Sequence, residues 1–332
     1  MSSRQARCCA RIGLLGNPSD GFGGKVLGLA ITDFMATATL LPAKGLRLRS
    51  DHGRITAVAH AGELPARLAR GQPRGGAQLL AAAVLVWSEY RGRPPRATTG
   101  VDLAFETEIP RRVGLSGSSA IIIAALRALA AHEGVTVPPH ELAELALRAE
   151  VDVLGIAAGP QDRVIQAYQG LMFMDFAPPR GPLGYRSVDT RLLPPLFLAW
   201  DPEPGESSNV VHSDVRQRFA AGDPEVVAVI HALPKLAAEG LECLQAGDLA
   251  RLAQLFDHNF DLRARIWSLR PQDVEMVKLG RAQGAAVKFA GSGGAVVGVP
   301  RDPDDLPSLH RAYWAAGYSF ISPTPASAPA PA

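Results

Sequence analysis

The chain is short of cysteine, of net charge and of long hydrophobic runs, and each shortage argues against a class of function. Cysteine occurs three times in 332 residues, as Cys8, Cys9 and Cys243. The count is odd, two are adjacent and no Cys-x-x-Cys occurs. A disulfide framework and a zinc site therefore have no basis here, and free thiols in a reducing compartment are expected. The formal net charge is +2, and the basic residues are scattered, most of them arginine. Nucleic-acid and membrane-surface proteins carry more lopsided charge, so neither partner is expected. No apolar run approaches the roughly 18 residues that span a bilayer. The longest candidates, LLAAAVLVW and AIIIAALRALAA, are short or interrupted by Arg127. Arg4, Arg7 and Arg11 precede an apolar stretch that ends at Gly16-Asn17-Pro18, too short for a signal-peptide core. A cytoplasmic location is expected.

What remains is an ordinary globular composition, 47% apolar and 20% charged, with material for one large or two modest domains. Residues 11–16 suggest a buried strand running into the loop GNPSDGFGGK. Residues 26–41 mix β-branched and apolar types and predict strands. Residues 76–90 look helical. Val101, Leu103, Phe105, Thr107 and Ile109 alternate with polar residues at strand period. A helix is predicted from Pro138 to Val153, with Leu142, Leu145, Ala146, Ala149 and Val153 on one face. Pro160 opens another at its first turn. GLMFMDF and LFLAWD are strand candidates. Residues 178–195 and 201–209 are rich in Pro, Gly and Ser and predict loops. Residues 224–284 are mostly helical, and AAVKFAGSGGAVVGVP predicts strand, glycine turn, strand. The composition breaks near 190–225. Domains are expected over 1–195 and 196–322, with a low-complexity, disordered tail over 323–332.

Three glycine-rich loops stand out. RRVGLSGSSA runs without a break into an apolar helix. Unpaired N–H groups and the partial positive charge at a helix start favour phosphate, and glycines let the backbone approach it. The same residues also read as a serine cap on a core helix. Common phosphate and nucleophile patterns fail. GxxxxGK[ST] is absent, since Phe22 follows Gly21. GSGGAV ends in Val296 where GxGxxG needs glycine. GxSxG fails at Ser118, which leaves a serine hydrolase without its elbow.

PRRVGLSGSSA resembles the second motif of the GHMP kinases, with Pro110, Gly114, Leu115, Ser118, Ser119 and Ala120 in place and one extra residue before the serine pair. RIGLLGNPSD resembles their first motif, and VKFAGSGGAVVGV their third, with a shorter glycine run. Within the family GNPSD, GLSGSSAI, GPQDRVxQxYxGLxxMDF, VHSDVRQRF and KFxGSGGAVV are most similar to the plant-type glucuronokinases. The resemblance implies an α+β, two-domain fold: a ribosomal S5-like N-terminal domain that binds ATP and a ferredoxin-like C-terminal domain. It implies an ATP-dependent sugar kinase acting on the anomeric hydroxyl of a uronic acid, glucuronate. A kinase for another sugar, a decarboxylase on the same scaffold and a non-catalytic sugar-binding regulator are the alternatives.

The same resemblance implies the site. Backbone amides of Gly114, Leu115, Ser116, Gly117, Ser118, Ser119 and Ala120 would hold the phosphates. Asp162 matches the catalytic aspartate, although alone it also reads as an acid complementing a helix dipole. Glu150 and the Ser119 hydroxyl would hold Mg²⁺, which needs few protein ligands, with Asp152 as the alternative acid. Arg11 would stabilise charge on the reacting hydroxyl. Asn17, Ser19 and Asp20 would contact the sugar, with Gly291, Ser292 and Gly293 of the third motif. A uronate carboxylate needs a cation, and Lys25, Arg163, Arg216 and Arg218 are the candidates. A monomer or homodimer is expected.

Overall fold

The computed structural model describes residues 3–50, 53–179, 181–203 and 209–327, and for 209–213 the backbone alone. The chain packs as two compact units of separated segments. One holds Met1–Ala10, Phe34–Ile109 and Ser116–Tyr168. The other holds Arg11–Asp33, Pro110–Leu115 and Gln169–Ala332.

In the first unit, strand β1 (Arg4–Leu15) contributes residues 4–10 and β2 (Lys25–Pro42) residues 34–42. They are joined by β3 (Leu46–Arg49), β4 (Ile55–Val58) and β5 (Val101–Thr107). β2 runs antiparallel to β5, from Ala36 opposite Thr107 to Pro42 opposite Val101. β3 is parallel to β5 and antiparallel to β4. In β5 Val101, Leu103 and Phe105 are buried as the period predicts, but Asp102 between them is buried too, paired with Arg49, and Thr107 is only half-buried. Five helices complete the unit: α1 (Leu64–Ala69), α2 (Gly76–Tyr90), α3 (Gly117–Glu133), α4 (Pro139–Arg148) and α5 (Gln161–Tyr168). α3 is poor in charge because it is buried almost all round, from Ser119 to Leu126 and again from Ala128 to Ala130, as a central helix must be. α4 buries Leu142, Leu145 and Ala146. It does not continue as an α-helix to Val153. The chain widens into a π-helical turn over Ala149–Val153, an irregularity found often at functional sites.

In the second unit, residues 25–29 of β2 pair antiparallel with β6 (Leu171–Asp175), and β6 pairs with β7 (Tyr185–Val188). β7 lies within the 178–195 stretch expected to be loop. Four further strands form an antiparallel sheet in the order β11 (Ser319–Ile321), β8 (Phe197–Trp200), β10 (Ala295–Val299), β9 (Ala286–Phe289). The helices are α6 (Asn209–Ala220), α7 (Pro224–Ala246), α8 (Leu249–Ile266), α9 (Pro271–Ala282) and α10 (Leu306–Ala315). Phe197, Phe260, Met276, Val287, Phe289 and Tyr313 are buried together as its core. Residues 180 and 204–208 of the expected loops lie outside the described residues.

Order continues past residue 323, where a disordered tail was expected. Thr32 N–H donates to the Thr324 carbonyl at 3.0 Å, and Ala326 N–H to the Ala30 carbonyl at 2.8 Å. Pro325 forms an isolated antiparallel bridge with Ile31. Residues 328–332 of that tail lie outside the described residues. Among the described residues no helix is long and apolar enough to cross a membrane.

Candidate active site

The start of α3 and the π-turn build one cluster, within the first unit. Ser116 stands at the helix cap with a left-handed φ of 64°, and no side chain caps the helix start. Ser118 Oγ donates to Glu150 Oε1 at 2.7 Å. Ser119 Oγ donates instead to Gln166 Oε1 at 2.6 Å and to the Ser116 carbonyl at 3.2 Å. Gln166 Nε2 in turn donates to the carbonyls of Cys9 and Ser116, both at 3.0 Å. Glu150 is fully buried and pairs through Oε2 with Arg163, whose Nε donates to it at 2.5 Å. Arg163 Nη1 also donates to the Gly159 carbonyl. Asp162 sits in the first turn of α5, partly open, with Oδ2 3.8 Å from Arg163 Nη1. The π-turn explains Glu150. Straight α-helical spacing puts it at the edge of the apolar stripe, whereas the widened turn encloses it.

This cluster departs from expectation at two residues. The serine beside Glu150 is Ser118, not Ser119, whose hydroxyl is committed to Gln166. Arg163, expected near a substrate carboxylate, is enclosed against Glu150. Ser118 Oγ and Glu150 Oε1 are adjacent hard oxygens, and Arg163 donates to the other carboxylate oxygen. That pair suits Mg²⁺, which keeps most of its shell as water and phosphate. Among the described residues no cluster of three or more His, Cys, Asp or Glu could form a fuller cage.

The second unit holds another cluster, where the three glycine loops meet a group of buried cations. Arg11 Nη1 donates to the Gly114 carbonyl at 2.6 Å and to the Ala290 carbonyl at 3.3 Å. Gly114 has φ +74°, and a Cβ there would stand 2.8 Å from Ser292 N. Only glycine fits so close an approach. Arg263 donates to the Gly291 carbonyl at 2.5 Å and the Ser292 carbonyl at 3.1 Å. Burial lowers its pKa from the usual arginine value, and Asp273 partly offsets this. Lys288 donates to the Gly13 carbonyl, Asn17 Oδ1 and the Phe289 carbonyl at 2.8, 2.8 and 2.7 Å. Burial pushes its pKa well below the ordinary lysine value, with Arg263 and Arg11 pushing the same way. Three oxygen acceptors, one for each ammonium proton, pull against that.

Asn259 fixes the first loop: it accepts from Gly16 N–H at 2.8 Å and donates to the Asn17 carbonyl at 3.3 Å. Ser19 Oγ donates to the Lys25 carbonyl at 3.1 Å. Asn17, Ser19 and Asp20 are all buried. Arg11, Asn17, Ser19, Asp20, Lys25, Gly114, Leu115 and Gly291–Gly293 thus share one unit, while Ser116–Ala120, Glu150, Asp162 and Arg163 share the other. Lys288 and Gln166 lie within the motifs but, like Arg263 and Asn259, carry no expected role from the sequence. A signal existed for two of them. Asn259 and Arg263, four residues apart, occupy the apolar face of α8 with Leu252, Leu255, Phe256 and Ile266. A polar residue in such a stripe needs a partner.

Residues 77–170 match the family model described as the GHMP kinases N terminal domain. Glucuronokinase 1 of Arabidopsis thaliana is 38% identical over 330 residues, covering 95% of this chain and 90% of that protein. The chain belongs to the GHMP kinases. Probable glucuronokinase 2 of the same plant is 37% identical, covering 94% of the chain and 88% of its own length. Lactococcus lactis galactokinase complexed with galactose superposes with a TM-score of 0.80 at 18% identity, covering 98% of this chain and 94% of that one. This GHMP kinase therefore has the expected α+β fold of its family, and it is a phosphotransferase.

Proposed function

We propose that this GHMP kinase uses ATP and Mg²⁺ to phosphorylate D-glucuronate at its anomeric hydroxyl, giving glucuronate 1-phosphate. The observation that carries the substrate is the near full-length similarity to Arabidopsis glucuronokinase 1. The geometry supports the chemistry. An uncapped start of a long buried helix leaves the amides of Gly117, Ser118 and Ser119 to meet phosphate oxygens. Ser118 and Glu150 would hold the metal, which when bound neutralises charge on the phosphates. Asp162 would orient the anomeric hydroxyl and accept its proton. That hydroxyl is more acidic than an ordinary alcohol, which suits a carboxylate base. Asn17, Ser19 and Asp20 would hold the sugar, with Gly291, Ser292 and Gly293 lining its site. Arg11 would stabilise charge on the reacting hydroxyl through the loops it ties together.

Residues 1–195 would then serve the nucleotide and 196–322 the remainder of the fold, since the four-stranded sheet begins at Phe197. A cytoplasmic monomer or homodimer belongs to the same reading. The test is a panel of free hexoses and uronic acids with Mg-ATP, with ADP release and sugar 1-phosphate as readouts. Glucuronate should give the highest kcat/KM. Sugar-independent ADP release, or none with any sugar, would favour a binding protein on this fold. Asp162→Asn should lower kcat about 10²-fold or more with ATP binding retained. A near-normal kcat would leave Asp162 as a helix-start acid only.

A further inference from the structure

The proposed substrate carries a carboxylate, and the assignment of a cationic partner to it rests on that reading. The loop that would hold the sugar offers Asn17, Ser19 and the buried acid Asp20. The carboxylate of a sugar held there is costly to desolvate without a cationic partner of its own. Of the four basic candidates, three are committed elsewhere. Lys25 Nζ lies 3.7 Å from Asp175 Oδ2. Arg163 is enclosed with Glu150. Arg218 donates to Asp223 at 3.0 Å and to the Ile266 carbonyl at 3.2 Å.

Arg216 is different. It is exposed on α6 and has no ion-pair partner among the described residues. Its guanidinium lies against the turn Ser19–Phe22: a Cβ built on Gly21 would stand 3.5 Å from Arg216 Nη2. One helical turn further on, Phe219 packs against Phe22 with ring centroids 4.8 Å apart. The aromatic pair pins α6 to the turn, and Gly21, lacking a side chain, leaves the guanidinium uncovered against it. We propose that Arg216 binds the carboxylate of a hexuronate held by the Asn17–Asp20 loop, and so selects uronates over neutral hexoses. The planar fork supplies two parallel N–H donors, which a hydroxymethyl group in the same place cannot use equally well.

The experiment compares wild type, Arg216→Gln and Arg216→Lys on glucuronate and on glucose, which differs at the carboxylate carbon. Losing a charge-assisted hydrogen bond should raise KM for glucuronate about tenfold to a hundredfold in Arg216→Gln, with a smaller rise in Arg216→Lys. Turnover of glucose, however slow, should change less than about twofold in both, a split that a merely structural defect would not produce. The assignment is overturned if Arg216→Gln keeps its KM for glucuronate, or if glucose turnover falls in parallel. If wild type itself shows no preference for glucuronate, the substrate reading has failed, and this assignment falls with it. A preference that survives Arg216→Gln sinks the Arg216 assignment alone.

Discussion

Ser118 and Ser119 are adjacent in the chain and have different duties. Ser118 donates to the buried acid Glu150, while Ser119 completes a buried network through Gln166 to the Cys9 carbonyl. Ser118→Ala should therefore raise the Mg²⁺ needed for half-maximal activity by about tenfold or more and leave the unfolding midpoint close to wild type. Ser119→Ala strips a fully buried amide of its donor and should cost about 1–3 kcal/mol of stability, with Mg²⁺ dependence unchanged. Metal titrations of activity, paired with urea melts, separate the two. The reverse pattern would return the metal to Ser119. At this scale the sequence was legible in residue type. The serine pair is plain in GLSGSSA, but which hydroxyl meets Glu150 depends on the rotation of α3 and on a π-turn that no periodicity announces. Lys288 was illegible for another reason. A lone lysine in an apolar strand gives no hint that three carbonyl-type oxygens await it.

At the scale of elements, the regular parts were the readable ones. α2, β5 and β6 fall where hydrophobic period put them, because each buries one face or all of itself against the core. The short strands β3, β4 and β7 were not marked, since four residues hold too few alternations and their partners supply the register. The glycine loops were legible as loops, but their interlock was not. A Cβ on Gly291 would overlap the Gly114 carbonyl oxygen and stand 2.9 Å from Arg11 Nη1. Gly291→Ala must push the second and third loops apart, at a cost of about 1–3 kcal/mol and a loss of kcat/KM. Gly117 is the control. A Cβ there meets nothing closer than Ile109 Cγ2 at 3.6 Å, and it opens α3. Gly117→Ala should be neutral or stabilising by about 0.4–1 kcal/mol. Equal destabilisation of the two variants in urea would show that the loops are not tightly interlocked.

At the scale of the whole molecule, linear reading meets its limit. Packing follows contacts and not chain order, and the chain passes repeatedly between the two units. Buried thiols illustrate what such packing does to the chain's response to pH. Cys8 is fully buried, and burial pushes its pKa from 9.0 up to about 12, with only Arg127 opposing. The unfolded chain therefore gives up this proton near pH 9, while the folded chain keeps it. Between those values the folded state binds more protons, so stability is complete below pH 9 and falls as pH rises, by about 1.4 kcal/mol for each unit. Lys288 acts oppositely: its lowered pKa makes stability rise with pH up to about 10.5, where unfolded lysine loses its charge. A wild-type profile alone would mix the two. Cys8→Ala removes one and keeps the other, so the difference between the two profiles isolates the thiol. Urea midpoints should separate wild type from Cys8→Ala by a constant amount up to pH 9. By about pH 10.5 the variant should have gained about 2 kcal/mol relative to wild type. Parallel profiles across that range would mean that Cys8 titrates in the folded protein as it does in the unfolded chain, and that its burial is not maintained in solution.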